Sequence, residues 1–331
     1  MEFTTGGRLV VRITPADTGK RVSVRHLAAP GEHGAKFTDT VGVLTSWDGG
    51  MLAVVRRDGE SVRIPEREMV AGKVIPAAPA RRRGPAATFR ELALVSARSW
   101  VPVESEALGG WTLRAAGGFT RRANSVLPLG DPGRPLEEAL AYARQWYAAR
   151  GLPTYVQAAT GAEGTQEGLC ADLERDGWIR EVSAQLRIAA LAPIGDLDAD
   201  VSRVGLSRSV GPGWLGAYQR TGTPGPQVLK VLESGPSTWF ATVPGEDGAP
   251  AAIGRCVVDG RWAGFAAVEV DPAHRRRGLA TAVMTALARR ALAEGASAAW
   301  LQVEADNEGA RALYDAQGFA THHTYHHFRH G

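Results

Sequence analysis

One stretch constrains this chain more than any other: AGFAAVEVDPAHRRRGLATAVMTALARRALAEG, residues 263–295. Ala263 to Val270 is an almost unbroken apolar run, the pattern of a central strand covered on both faces. Asp271-Pro272 ends it. After Gly278, the residues Leu279, Val283 and Leu287 fall at i, i+4 and i+8, which places them on one stripe of a helix. The turn between strand and helix holds Arg275, Arg276, Arg277 and Gly278, and the helix opens with the small Ala280. A helix start offers unpaired N–H groups and the positive end of the macrodipole, and small residues let the backbone approach a bound anion. This strand–turn–helix therefore reads as a phosphate site. It lacks the Gly-Lys-Ser/Thr of a Walker loop and the Gly-x-Gly-x-x-Gly of a dinucleotide fold.

A second segment follows, SAAWLQVEADNEGARALYDAQGF, residues 297–319. Its pattern is a strand over 298–304, with Leu301 and Val303 alternating against Gln302 and Glu304, then Asn307, then a helix over 308–316. Asn307 and Tyr314 are two helical turns apart and so share a face.

Together, Arg275-x-x-Gly278-x-Ala280 after an apolar strand, and strand–Asn307…Tyr314…Gly318-Phe319, resemble the two signatures of the GNAT N-acetyltransferase superfamily. The resemblance covers residues 263–320 and implies acetyl-CoA as donor substrate, with no metal. It implies donor contacts at Val268, Val270, Arg275, Arg276, Arg277, Gly278, Leu279, Ala280, Thr281 and Asn307. Tyr314 would lie near the thioester sulfur and protonate the departing thiolate, while a backbone N–H near Val270 would polarise the carbonyl. The attacking amine must be neutral, and Glu269 and Glu304 are the carboxylates in reach of a general-base role. Direct transfer in a ternary complex is expected. The alternative is a non-catalytic acyl-CoA-binding regulator or adaptor, which would have no use for a leaving-group acid at Tyr314.

The remaining chain supplies context. Short runs such as Leu9–Ile13, Arg21–Arg25, Thr40–Leu44, Met51–Val55 and Ser61–Ile64, with turns at Gly49-Gly50 and Asp58-Gly59, predict a small closed all-β barrel resembling an SH3-like module over residues 1–76. A protein partner for it is an open expectation. Residues 77–87, rich in Ala, Pro and Arg, form a linker, and Arg81–Arg83 belong to it rather than to a binding patch. Residues 88–195 repeat the order strand, strand, helix, strand, helix, strand seen in 196–331. The fold expectation is thus a tandem α/β GNAT with a degenerate first copy. In that copy Asp131 and Pro135 sit where a pyrophosphate turn would be. It is expected to wall the acceptor cleft, with Trp111, Asn124 and Trp146 as candidates.

Net charge is +3, and no basic stripe with interleaved aromatics occurs, which argues against a nucleic-acid partner. Two distant cysteines, Cys170 and Cys256, suit a reducing interior. No long apolar run and no leader pattern point to a membrane or to export, so a cytoplasmic location is expected. Cys256, in an apolar strand, reads as a core residue more than as an acyl carrier. The tail Thr321–His330 carries five histidines without a cysteine or acidic partner at ligand spacing; it reads as a final strand, one of whose histidines is a candidate for the substrate pocket.

Overall fold

The structure is a computed structural model and describes residues 11–28, 37–75, 84–219, 225–246 and 248–331. The expected strand at Leu9–Ile13 and the linker lie partly outside these residues. The chain divides into two compact units, Met1–Ala80 with Ala158–Trp178, and Arg81–Gln157 with Ile179–Gly331.

In the first unit, β1 (Arg21–Leu27), β2 (Phe37–Asp48), β3 (Met51–Arg56), β4 (Ser61–Pro65) and β5 (Met69–Val74) form one antiparallel sheet in the order β4-β3-β2-β1-β5. The period-two pattern works as expected: Val22 and Val24 are buried with Leu44, Leu52, Val54 and Ile64. No β4–β5 ladder closes the sheet among the described residues, so it is an open five-stranded sheet where a closed barrel was expected.

The next segment begins with α1 (Phe89–Arg98), capped by Thr88, whose side chain accepts from the Glu91 amide at 3.1 Å. There follow β6 (Glu104–Leu108), β7 (Trp111–Ala115), β8 (Leu127–Pro128), α2 (Leu136–Ala148), β9 (Tyr155–Thr160), α3 (Glu167–Arg175) and β10 (Ile179–Ala190). Just before β8 the chain bends at Asn124 and Ser125. Asn124 there accepts from the amides of Ala116 and Gly118 and donates to the carbonyls of Phe119 and Thr120.

The last part comprises α4 (Ala192–Gly195), β11 (Gly205–Ser207), α5 (Pro212–Ala217), α6 (Pro226–Leu232), β12 (Ser237–Pro244), β13 (Pro250–Asp259), β14 (Trp262–Val270), α7 (Leu279–Ala293), β15 (Ala298–Glu304), α8 (Glu308–Ala316) and β16 (Ala320–Arg329). The two short helices α5 and α6 are each opened by a proline at the first position. Val283, Met284, Leu287, Ala288 and Ala291 of α7 pack on Cys256, Ala263 and Phe265 in the main core.

These strands form an eight-stranded sheet, β11-β12-β13-β14-β15-β10-β16-β9. Its order shows an interleaving. β10, the last strand of the first repeat, lies antiparallel between β15 and β16 of the second; Ala184 pairs with Glu304 on one side and Tyr325 on the other. Arg187 of β10, 4% exposed, donates to the carbonyls of Arg311 (3.2 Å) and Phe319 (2.9 Å) and to the Asp315 carboxylate. The first repeat therefore holds the C-terminal end of α8.

Candidate active site

The site forms where two parallel strands part. β14 pairs with β15 from Trp262↔Ala298 to Phe265↔Leu301, and the ladder ends there. On its other edge β14 is bulged: Ala266 pairs with Arg255 and Glu269 with Ile253, so Ala267 and Val268 stand opposite the single Gly254. Ala267 takes φ 52°, a left-handed value that a non-glycine residue adopts at a cost. A bulge leaves backbone groups out of the ladder, and these line the pocket between the strands. Gly254 lets α7 come close, because a Cβ there would stand 3.2 Å from Leu287 Cδ1 and nearer still to Val283.

At the end of β14, Asp271 caps a 3₁₀ turn (Pro272–His274), accepting from the Ala273 amide at 2.8 Å and standing 3.4 Å from His274. The turn then reaches Gly278, at φ 75°, the N-cap of α7. Arg276 is left-handed too, at φ 63°. No side chain caps this helix and no acidic residue sits in its first turn. Arg275, Arg276, Arg277 and Gly278 are exposed, and a Cβ on Gly278 would meet nothing within 4 Å. Uncapped amides, three cations and open space fit an anionic group of the donor's kind. Leu279, Ala280 and Thr281 are half-buried in that first turn.

Across the gap, Asn307 caps α8 by accepting from the Ala310 amide at 3.1 Å. Tyr314, one face of α8 later, is 9% exposed, lies edge-on to Phe319 at 5.8 Å, and lines the same pocket as Asn307, Ala267 and Val268. Glu269 and Glu304 both line it as well; the Glu269 carboxylate accepts from the Gln219 amide at 3.0 Å. Val270, Arg275–Ala280 and Thr281 lie outside that lining, further along the strand and helix.

Trp100, Arg122, Tyr218 and Gln302 also line the pocket, and the sequence offered no sign of the first three. They come from separate segments that only the fold brings together. Gln302 was signalled by its alternation with Leu301. The wall candidates Trp111, Asn124 and Trp146 are elsewhere. Trp111 is 3% exposed and donates to the Gly130 carbonyl, Trp146 donates to Glu106 at 2.8 Å, and Asn124 is consumed by its turn. No histidine of β16 lines the pocket. His322 and His323 meet at 2.9 Å, and His326 meets the Ser183 hydroxyl at 2.7 Å. Cys256 is buried, and burial pushes its thiol up to about 12. Among the described residues, no group of three or more His, Cys, Asp or Glu is placed to hold a metal, and no helix is long and apolar enough to cross a membrane.

A bulged strand parting from its neighbour, with an anion-suited helix start on one side and an asparagine-capped helix bearing a tyrosine on the other, is set in a fold shared with solved GNAT acetyltransferases. The chain belongs to the family described as "Probable histone acetyltransferase Rv0428c C-terminal", whose model matches residues 86–328. Residues 16–73 match "Rv0428c N-terminal Sm-like domain", so the front module is Sm-like, which the SH3-like expectation met only loosely. The chain is 26% identical over 306 residues to the "Probable histone acetyltransferase Rv0428c" of Mycobacterium tuberculosis, covering 92% of this chain and 93% of the relative. It is 27% identical over 251 residues to the "Uncharacterized N-acetyltransferase YobR" of Bacillus subtilis, covering 73% and 98%. Among solved structures, a GCN5-related N-acetyltransferase from Kribbella flavida shares the fold, with TM-score 0.54, 17% identity and 74% and 96% coverage. A tandem GNAT protein from the clavulanic acid biosynthesis pathway does so too, with TM-score 0.54, 15% identity and 76% and 90% coverage.

Proposed function

We propose that this protein transfers the acetyl group of acetyl-CoA directly to an amine within a ternary complex. The observation that carries the reading is that the Ala267–Val268 bulge and Tyr314 face one pocket, at the foot of a strand leading to the uncapped start of α7. The Arg275–Gly278 turn and the amides of Leu279, Ala280 and Thr281 hold the pyrophosphate. The backbone of Val268 to Val270 aligns the pantetheine arm, and the end of α8 at Asn307 borders it.

The amine nitrogen attacks the thioester carbon, a C–N bond forms and the C–S bond breaks. An amide N–H at the bulge stabilises the charge that gathers on the carbonyl oxygen. Tyr314 gives its hydroxyl proton to the departing sulfur. The attacking nitrogen loses one proton, taken by Glu304 or Glu269 directly or through water and returned to Tyr314. The sum is acetyl-CoA plus amine giving N-acetyl amine plus CoA. Cys256, buried and held neutral at ordinary pH, takes no acetyl group.

The first repeat is proposed to bind no donor. Its α2 starts at Pro135 without a side-chain cap and carries Glu137 and Glu138 in the first turn, which repel a phosphate. The name of the mycobacterial relative makes a histone lysine one acceptor to test. The deciding experiment measures thiol release from acetyl-CoA against a panel of amines. Tight acetyl-CoA binding with no amine-stimulated release would favour the adaptor reading.

A further inference from the structure

The acceptor end of the pocket is built by residues outside both acetyl-CoA motifs. Trp100 is 4% exposed and Tyr218 5%, so both stand as fixed aromatic walls. Arg255 fixes the first: fully buried, it donates to the carbonyls of Ser99, Leu232 and Ser234 at 2.7–2.8 Å, and its guanidinium lies 4.6 Å from the Trp100 ring. Arg122 lies 5.6 Å from the same ring and lines the pocket. Its Nε donates to the Tyr325 hydroxyl at 3.1 Å. Neighbouring Arg121 is paired with Glu181, whereas Arg122 has no carboxylate partner among the described residues. Gln302 adds a second group: its Oε1 is buried and has no hydrogen-bond partner among the described residues. Gln302 and Glu304 stand two apart on β15 and so project from one face.

The pocket thus offers an unneutralised guanidinium, a buried acceptor oxygen, and the carboxylates of Glu269 and Glu304. An ammonium or amine donates to oxygens and suits Gln302 and the carboxylates. A carboxylate suits Arg122, whose fork of N–H groups matches it. A lysine on a strongly basic segment would instead bring further cations towards Arg122, an unfavourable pairing in a partly desolvated site.

We infer that the acceptor is a small amine bearing its own carboxylate, an amino acid or a close analogue, with the carboxylate on Arg122 and the amine directed to Gln302 and the reacting centre. This rests on the acetyltransferase reading above.

The test compares kcat/KM for amino acids, each beside its carboxamide, and for a lysine-rich histone-tail peptide. The wild-type protein is expected to favour acid over amide by about tenfold or more, the usual worth of a charge-assisted hydrogen bond. In Arg122→Gln that ratio falls towards one, and Arg122→Lys restores part of it. Acetyl-CoA titration by calorimetry confirms that each variant is folded. Equal rates for acid and amide in the wild type, an unchanged ratio in Arg122→Gln, or preference for the histone peptide over every amino acid overturns the inference while leaving the transferase reading intact. If no amine reacts, the transferase reading fails alone. Calorimetry with an N-acetyl amino acid and its N-acetyl amide then decides the carboxylate site. Tighter binding of the acid, lost in Arg122→Gln, upholds it, and equal binding overturns it.

Discussion

Gly264 and Trp300 face each other across the parallel β14–β15 ladder, and the indole occupies the space a side chain at 264 would take. A Cβ there would stand 2.5 Å from Cε2 and 2.8 Å from Nε1. Trp300 also lines the pocket just where the strands part. Gly264→Ala should therefore push the indole into the cleft. Overpacking of this kind costs about 1–3 kcal/mol. Urea unfolding should show that loss, together with weaker acetyl-CoA binding; full stability in the variant would mean the ring moves aside freely.

Gly278 tests the anion site. Its φ of 75° and open surroundings mean that Gly278→Ala costs only the left-handed strain, roughly 1 kcal/mol. Gly278→Glu adds a negative charge at the start of α7, where the donor's phosphates belong. Calorimetry should find acetyl-CoA binding nearly intact in the first variant and abolished in the second. Equal binding by both would move the pyrophosphate elsewhere.

Tyr314→Phe should lower kcat and leave the acetyl-CoA dissociation constant near the wild-type value, since only the hydroxyl is lost and the ring contact with Phe319 remains. General acid catalysis is commonly worth about 10²–10⁴-fold. A large loss of affinity with unchanged kcat would make the tyrosine a binding residue. Glu304→Gln and Glu269→Gln, assayed across pH, identify the base as the residue whose loss removes the acidic limb of the kcat/KM profile.

β16 makes the protein sensitive to acid. Burial, then neighbouring histidines, lowers His323 to about 3; burial, then Arg180, does the same for His326. Burial, then the nearby arginines led by Arg122, holds His327 well below the usual range. In the unfolded chain each titrates near about 6.5. Above that pH neither state binds the proton, and the full stability is present. As pH falls below it, only the unfolded state binds, and stability drops by up to about 1.4 kcal/mol per pH unit per histidine until the folded values near 3 are approached. Urea midpoints should hold steady above about pH 6.5 and fall progressively as pH drops from there towards about 3. Neither ring nitrogen of His327 has a hydrogen-bond partner among the described residues, and its ring packs against Tyr155 and Tyr325. His327→Phe should therefore raise the midpoint and flatten the slope; an unchanged slope would show that these histidines are not the source.

Cys256→Ala should keep turnover, and mass spectrometry should find no acetylated protein during it, because the buried thiol is held at about 12. A trapped acetyl-cysteine would replace direct transfer with a two-step route.

The second repeat was legible because its signals are local. An apolar strand, a glycine turn and an amphipathic helix each lie within a few residues, and the predicted helix at 308–316 matches α8. The acceptor wall was not, because Trp100, Arg122 and Tyr218 belong to three distant segments whose meeting is a tertiary fact. Trp111 and Trp146 misled for a related reason: a tryptophan in a polar run looks exposed, yet each ring is buried and donates its N–H, to Gly130 or Glu106. The bulge at Ala267 was hidden too, since an alanine gives no hint of a positive φ that its neighbours impose. The expected barrel reduced to an open sheet because alternation within strands says nothing about whether the first and last edges meet.

The place of β10 between β15 and β16 sets an order of events for a growing chain. When residues 179–190 leave the ribosome, both edges of that strand are bare, and they stay so until residues 298–329 have been made. An open edge is a template for any passing strand. The first repeat must therefore wait through most of the second before it can be completed, and the second cannot be cut free and remain whole. Whatever else it does, the first repeat is indispensable as the middle plank of its sibling's sheet.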